Sequence, residues 1–380
     1  MKGFPSSFVT ISVLALWTFI ELFLFTPGVM VQQSQGLDDN QINRTLVLKD
    51  PNHLGLTESE CLSHFPRLYE ELENTTAFYA SKEGVFLSDL DSIEDYHIRI
   101  VIQNNTLYVK EFIHDFGTRG MSVLYHLHQI LSFSSEALPD VEMVINLRDK
   151  GSPRTRAVFS FAKQEVDAWT WLIPDFRFHS WPEGGIITYQ RLREQIGLVS
   201  DGTVGNEAVY HSQTTKSRFS PDICRNKFIS YDTNNGSPSS LLYALNCKSV
   251  VFGGKLEWKQ HFHHILDSDN DSPHQNIVFV PSIKNGLKEA IASLKTSKER
   301  ADKIAENLWN NLRNRYLTPA ATSCYWRKLI HQYASVLKFK PSLQLKKWSD
   351  GRQRTGAAGT GKAVPYESFM LLQKVEWKMY

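Results

Sequence analysis

Net charge is the first thing this 380-residue sequence lacks, with 42 Lys and Arg against 40 Asp and Glu. No long basic block interleaved with aromatics breaks that balance, which excludes nucleic acid as a partner. Cysteine is scarce: Cys61, Cys224, Cys247 and Cys324 are the whole set. Zinc spacing is missing too, because His261, His263 and His264 have no cysteine or carboxylate set around them, and they read as a surface between domains. Asp267-Ser-Asp-Asn-Asp271 fails as a calcium loop, since Ser272 stands where glycine is needed and Val278 where a bidentate Glu belongs. A solvated acidic loop is expected there. No metal site and no internal repeat is found.

What the chain does have begins at its amino terminus. From Phe8 to Phe25 the only polar residues are Thr, Ser and Glu21, and the apolar character resumes through Val29-Met30-Val31. That length spans a bilayer. Lys2 precedes the run and no Lys or Arg follows until Arg44, so the positive-inside rule places the remainder on the luminal side. No small-x-small cleavage site is evident, which favours an uncleaved signal anchor; Glu21 weakens the span and keeps a cleaved signal peptide as the alternative. Sequons at Asn43, Asn74, Asn104, Asn235 and Asn270 agree with a luminal side. An even cysteine number there implies disulfides, in any of about three connectivities.

Periodicity then divides the chain. Residues 1–31 form the cytoplasmic tip and anchor, and 32–94 a polar stem with a helical lead-in over 61–79. Residues 95–196 hold a hairpin around Asn104-Asn105, an amphipathic helix over 119–131 and a strand over 141–147, an α/β pattern with a partly parallel sheet. Residues 197–340 alternate again: helix 239–247, strand 249–252, a helix edge at 261–266, strand 276–280 and helices over 283–292, 297–316 and 322–337. That alternation is doubly wound. Residues 341–380, rich in Gly, Lys and Arg through 351–362, read as a mobile tail.

The densest chemistry lies at 138–185. The buried strand delivers Arg148 and Asp149 at its carboxyl end, where open α/β sheets bind ligands. Aromatic rings follow at Trp169, Trp171, Phe176, Phe178 and Trp181, then Glu183-Gly184-Gly185. Rings beside a carboxylate suit a sugar, though most such stripes are packing. A loop ion pair between Arg148 and Asp149 is the bland reading.

Four segments carry a resemblance: Pro-Asp-Val-Glu-Met-Val-Ile-Asn-Leu-Arg-Asp, Pro-Asp-Phe-Arg-Phe-His-Ser-Trp-Pro-Glu-Gly-Gly, Leu-Leu-Tyr-Ala-Leu-Asn-Cys-Lys-Ser-Val-Val-Phe, and Arg-Tyr-Leu-Thr-Pro-Ala-Ala-Thr-Ser-Cys-Tyr-Trp-Arg-Lys-Leu-Ile. In that order, over residues 95–340, the chain resembles the capsule-associated-protein (CAP) glycosyltransferases, kin of Rumi-type protein O-glucosyltransferases and fungal capsule xylosyltransferases. The resemblance implies a GT-B fold of two Rossmann-like domains, the first acceptor-side and the second donor-side. It implies metal-independent, inverting transfer from UDP-glucose or UDP-xylose to a protein or glycan hydroxyl, in a single-pass type II protein of the Golgi or endoplasmic reticulum membrane. Asp149 falls on the family's catalytic base, with Arg148, Trp181, Glu183, Gly184 and Gly185 binding substrate. Cys224 and Cys247 match cysteines that bracket a donor loop, here with Gly236, Ser237 and Ser240, and so pair; Cys61 then pairs with Cys324.

The departures lie on the donor side. Between Gln195 and Ile223 the family's Trp-Arg-Gly or Phe-Arg-Gly element is absent, and Ser240 stands where a second arginine belongs. Those arginines resemble a clamp on the diphosphate, whose charge-assisted contacts are strong. Lys216, Arg218 and Arg225 are the candidate substitutes. A missing exon accounts for the gap equally well. An Asp-x-Asp pair at Asp89-Leu-Asp91 or Asp267-Ser-Asp269 would suit a metal-dependent GT-A enzyme instead, but two acids so spaced arise by chance. The rival to an enzyme is a degenerate member that binds glycan or protein without catalysis.

Overall fold

The computed structural model describes residues 49–93, 97–113, 117–151, 156–181, 187–201, 206–212, 221–231, 241–281, 283, 286–345, 356–357, 359 and 361–373. The expected anchor and stem up to residue 48 lie outside them. Among the described residues no helix is long and apolar enough to cross a membrane.

The single lead-in helix expected over 61–79 is two helices, α1 (Glu58–His64) and α2 (Glu70–Ala80). Pro66 is the cause: its ring disfavours helical backbone at the residue before it. Phe65 accordingly takes φ −129°, ψ 51°. Thr57 opens α1 with a capping box, its hydroxyl accepting from Glu60 N while the Glu60 carboxylate accepts from Thr57 N. After α3 (Leu87–Asp91), the isoleucine alternation folds into β1 (Ile98–Gln103) and β2 (Thr106–Phe112), an antiparallel hairpin. Asn104 and Asn105 sit at φ 50° and 58°, the left-handed pair that a two-residue type I′ turn requires.

Helix α4 (Gly117–Phe133) buries Gly120, Val123, Leu124, Leu127, Ile130 and Leu131 on one face. Strands β3 (Val141–Ile145), β4 (Val158–Ser160) and β5 (Trp171–Leu172) follow. Strand β3 pairs antiparallel with β1, whereas β3, β4 and β5 run parallel to one another. The short antiparallel pair β6 (Ser180–Trp181) and β7 (Ile187–Thr188) leads into α5 (Tyr189–Asp201).

A second sheet then forms from β8 (Asn206–Ser212), β9 (Asn226–Tyr231), β10 (Val250–Gly253) and β11 (Val278–Phe279), all parallel and in sequence order, with α6 (Leu241–Ala244) between β9 and β10. Parallel sheets are buried on both faces. Ile229, Tyr231 and Val251 face the main core, while Phe228, Val250 and Phe252 pack into a smaller cluster with Leu287, Leu294 and Ile304. Those last residues come from α7 (Leu287–Thr296) and α8 (Lys298–Asn307). Beyond Asn307 the helix widens to π-helical winding over Leu308–Tyr316, and α9 (Pro319–Val336) begins at the Thr318 cap. The expected helix edge at 261–266 is one 3-10 turn, His263–Ile265.

Two disulfides close the chain as the family pattern implied. Cys61–Cys324 ties α1 to α9, and Cys224–Cys247 spans the crossover from β9 to β10. From Leu48 onward the chain is one compact unit.

The mobile tail expected over 341–380 is corrected in part. Strand β12 (Val364–Pro365) pairs antiparallel with β2, so the first sheet runs β12-β2-β1-β3-β4-β5. Helix α10 (Tyr366–Leu372) buries Tyr366 and Phe369. The Gly-rich, polar composition of 351–362 masked the apolar pattern Ala363, Val364, Tyr366, Phe369 that follows it. Phe369 is 1% exposed and its ring centroid lies 5.1 Å from that of Phe112. Phe369→Ala should therefore destabilise the protein by about 3 kcal/mol, a core truncation, in urea unfolding. A loss below about 0.5 kcal/mol, the level of a surface change, would return this segment to the tail.

Candidate functional site

Because β3, β4 and β5 are parallel, their carboxyl ends share one edge, and residues 146–151, 161–163 and 173–179 leave from it. The second sheet's carboxyl edge leads, after β10, into residues 254–265. The two edges meet. Lys163 and Lys259 exchange backbone hydrogen bonds of 3.0 and 2.8 Å. The Lys150 ammonium lies 5.7 Å from the Trp258 ring centroid, and the rings of Phe178 and His261 are 5.1 Å apart.

Asp149 stands at this junction, and its loop is built from buried pieces. Asn146 is fully buried; its N–H donates to Phe159 O at 2.8 Å, and its Oδ1 accepts from Arg148 N at 2.8 Å. Leu147 N donates to His97 Nδ1 at 3.2 Å. Gly151 N donates to Ala162 O at 3.2 Å, and a Cβ at that glycine would stand 2.6 Å from the same carbonyl oxygen, so any larger residue would push the loop outward.

The guanidinium that meets Asp149 belongs to Arg119 of α4. Its Nη1 donates to Leu147 O at 3.0 Å, and its Nη2 donates to Asp149 Oδ2 at 3.3 Å. Nη1 also lies 3.2 Å from Asp149 Oδ1, a buried oxygen held by charge without hydrogen-bond geometry. The Asp149 side chain remains 32% exposed and that of Arg119 13%. Gly120 permits this approach: a Cβ there would lie 2.9 Å from the Phe112 ring. Arg148, expected beside Asp149 in the site, is exposed.

The aromatic stripe is mostly packing, as expected. Trp171, Phe176 and Phe178 are buried, with Trp171 stacked on Tyr79 at 5.6 Å. Phe176–Phe178 form a 3-10 turn capped by Asp175, whose carboxylate accepts from Arg177 N at 2.9 Å and meets its guanidinium at 3.4 Å. Arg177 and Asp175 are both buried. The Arg177 guanidinium reaches the Tyr243 hydroxyl on α6, and burial pushes that phenol up to about 12. His179 follows, stacked on His126 at 5.2 Å. Trp181 lies in β6, its backbone paired with Ile187. Glu183, Gly184 and Gly185 fall outside the described residues.

On the donor side, Gly236, Ser237 and Ser240 also fall outside them, as do Lys216 and Arg218. Arg225 lies inside them. It sits at the amino-terminal end of β9, paired with Asp222 at 3.0 Å, whereas residues 232–240 leave the strand's carboxyl end. Six residues of strand put roughly 20 Å between the two ends. Nearby, Asn246 is fully buried: its Nδ2 donates to Leu242 O at 2.8 Å, and its Oδ1 accepts from Arg193 Nη1 at 3.1 Å. Arg193 and Arg313 also donate to backbone carbonyls, Arg193 to those of Arg313 and Leu317 and Arg313 to those of Asn246 and Arg193. His261 and His263, read from sequence as a surface, are buried, with His261 4.7 Å from the Tyr325 ring. Among the described residues no three His, Cys, Asp or Glu side chains could hold a metal ion.

Sequence reasoning missed Arg119, Trp258 and the Arg177–Tyr243 contact. Arg119 was legible as part of a helix, but its partner 30 residues away was not.

Comparison with known proteins supplies the family. The sequence matches glycosyl transferase family 90 over residues 57–207 and 206–349. It is also 26% identical over 123 residues to an O-glucosyltransferase rumi homolog of Aedes aegypti, a stretch covering 31% of this chain and 29% of the length of that protein.

Burial holds His179 down to about 4 and His263 to about 3, and keeps His126 and His261 well below the ordinary value. In the unfolded chain each titrates near 6.5. Between those values the unfolded state binds more protons, so stability is complete above about pH 6.5 and is lost as pH falls toward 4. Melting temperatures measured from pH 7.5 to 4.5 should fall steeply, and His179→Gln should flatten the slope. An unchanged slope would remove His179 from the cause.

Proposed function

We propose, on the premise that the chain belongs to glycosyl transferase family 90, that it is an inverting O-glycosyltransferase. It moves glucose or xylose from a UDP-sugar to a hydroxyl of a protein or glycan acceptor. The sheets correspond to the acceptor and donor halves of a GT-B fold, and the amino-terminal apolar run anchors the protein in the Golgi or endoplasmic reticulum membrane. The two disulfides support an oxidising compartment.

One observation carries the mechanism: a partly exposed carboxylate, Asp149, stands at a parallel-strand end where the carboxyl edges of two sheets meet. In the reaction the acceptor oxygen forms a bond to the anomeric carbon from the face opposite the phosphate. The bond from that carbon to the phosphate oxygen breaks, and its electron pair leaves with UDP. The acceptor's proton passes to Asp149 and then to solvent. General base catalysis of this kind contributes about 10²- to 10⁴-fold. The name of the Aedes aegypti relative, an O-glucosyltransferase, agrees with it.

A second reading, a degenerate member that binds glycan or protein without transfer, is favoured by Ser240, which stands where the family resemblance places an arginine. The two separate on one experiment. The full chain should bind UDP-glucose or UDP-xylose in calorimetry and release UDP from it, with no loss on adding a chelator. Asp149→Asn should lower turnover at least about 10²-fold and leave donor affinity within about twofold. If neither donor is bound or hydrolysed, the degenerate reading stands. Dependence on manganese would point to a metal-dependent enzyme instead.

A further inference from the structure

We infer that Arg119 is the positioning residue for Asp149: it fixes the carboxylate that receives the acceptor's proton. This rests on the proposed transfer reaction and deepens it.

Arg119 is anchored before it touches Asp149. Its Nη1 donates to Leu147 O at 3.0 Å, and its guanidinium lies 4.9 Å from the Phe176 ring centroid. One turn further along α4, Ser122 Oγ donates to Phe176 O at 3.1 Å, which locks the helix to the 3-10 turn after β5. Gly120 lets the same helix turn lie on Phe112 and Ile98. A helix, a strand end and a 3-10 turn thus hold one guanidinium in place. Sites built on such elements are more precise than sites on loops.

Among the described residues the carboxylate is paired with Arg119. Arg119 covers the buried Oδ1 and donates one hydrogen bond to Oδ2. An ionised carboxylate offers about four lone-pair positions, so Oδ2 keeps one for an acceptor hydroxyl. The residual exposure of Asp149, 32%, is the opening through which that hydroxyl must come. The bond made and the bond broken are those of the transfer reaction, and the proton ends on the carboxylate beside Arg119.

A direct role on the donor diphosphate is disfavoured. Arg119 is 13% exposed, and its donors are directed at Leu147 O and Asp149. A stabilising role alone is also a poor account, because an ion pair with one partner a third exposed adds little to stability.

The test is UDP release from UDP-glucose and UDP-xylose by the full chain, with water as acceptor, for Arg119→Ala, Arg119→Lys and Asp149→Asn. Arg119→Ala should lower kcat about 10- to 100-fold, the scale of a misplaced reacting group, with donor KM within about threefold and melting temperature little changed. Arg119→Lys should recover part of the loss. Millimolar guanidinium ion should raise the rate of Arg119→Ala several-fold and leave Asp149→Asn untouched, a rescue that a purely structural residue would not give. If Arg119→Ala does not fold, Arg119→Met carries the same rescue experiment. Wild-type kcat in Arg119→Ala, beside an inactive Asp149→Asn, overturns this role and keeps the reaction. Absent rescue in a folded variant overturns it as well. No UDP release by the wild-type chain removes the reaction and this role together.

Discussion

The first sheet is organised around a carboxylate that has no business being buried alone. Glu142, in the middle of β3, is 1% exposed and is neutralised by Arg99 Nε and Lys110 Nζ, each 2.7 Å away. Arg99 reaches on to Asp91 at the end of α3, and Lys110 to Ser342 O beyond α9. The backbone of Glu142 accepts from Tyr333 Oη, and its second carboxylate oxygen from Ser342 N. Removing one partner of such a cluster strands a buried charge, a loss of about 3–5 kcal/mol. The bulge in the hairpin serves it: a register shift between Arg99 and Ile100 leaves Lys110 as the extra residue, aimed at β3. Burial pushes the Lys110 ammonium down while Glu142 opposes it.

That cluster fixes β3 against its neighbours, and β3 fixes Asp149. From Ile145 only Asn146, Leu147 and Arg148 intervene, and Asn146 and Leu147 are tied by backbone hydrogen bonds to Phe159 and to His97. The loop therefore has little freedom, and the side chain it presents is set by the sheet. Strand polarity does the rest. Parallel β3, β4 and β5 end on one edge, the second sheet is parallel throughout, and the 163–259 bridge joins the two carboxyl edges. Two walls of different origin thus meet where connections leave the strands, the usual place for a ligand in α/β proteins.

Local pattern was readable from the sequence wherever local physics decides. The isoleucine alternation and Asn104-Asn105 mark the hairpin, the buried run 141–147 marks β3 though the strand ends at Ile145, and the apolar spacing of 119–131 marks most of α4. The helical spacing over 61–79 runs on through Pro66, whose break divides it into two helices. Long-range placement was not readable. Nothing local says that Val364 should pair with Val109, or that Arg119 should find Asp149. The histidines at 261 and 263 misled for a related reason. The missing ligand set suggested a surface between domains, whereas both are buried, His261 against Phe178 and Tyr325 and His263 against Phe262.

The two halves of the proposed site differ in what a missing residue does to them. On the acceptor side one carboxylate takes one proton, and its position relative to the acceptor hydroxyl decides the transfer. On the donor side the need is positive charge and hydrogen-bond donors near a diphosphate, which Lys meets as a point charge and Arg as a fork. Cations from another stretch of connection can answer that need with some loss of affinity. The Cys224–Cys247 bond ties the segment before β9 to the segment before β10, and Asn246 is held beside it by Tyr189 and Leu242. Ser240 in place of an arginine therefore weighs on donor affinity more than on proton transfer. Under the proposed reading, this chain departs from its family in how tightly it grips the donor, and keeps the strand end that makes the acceptor reactive.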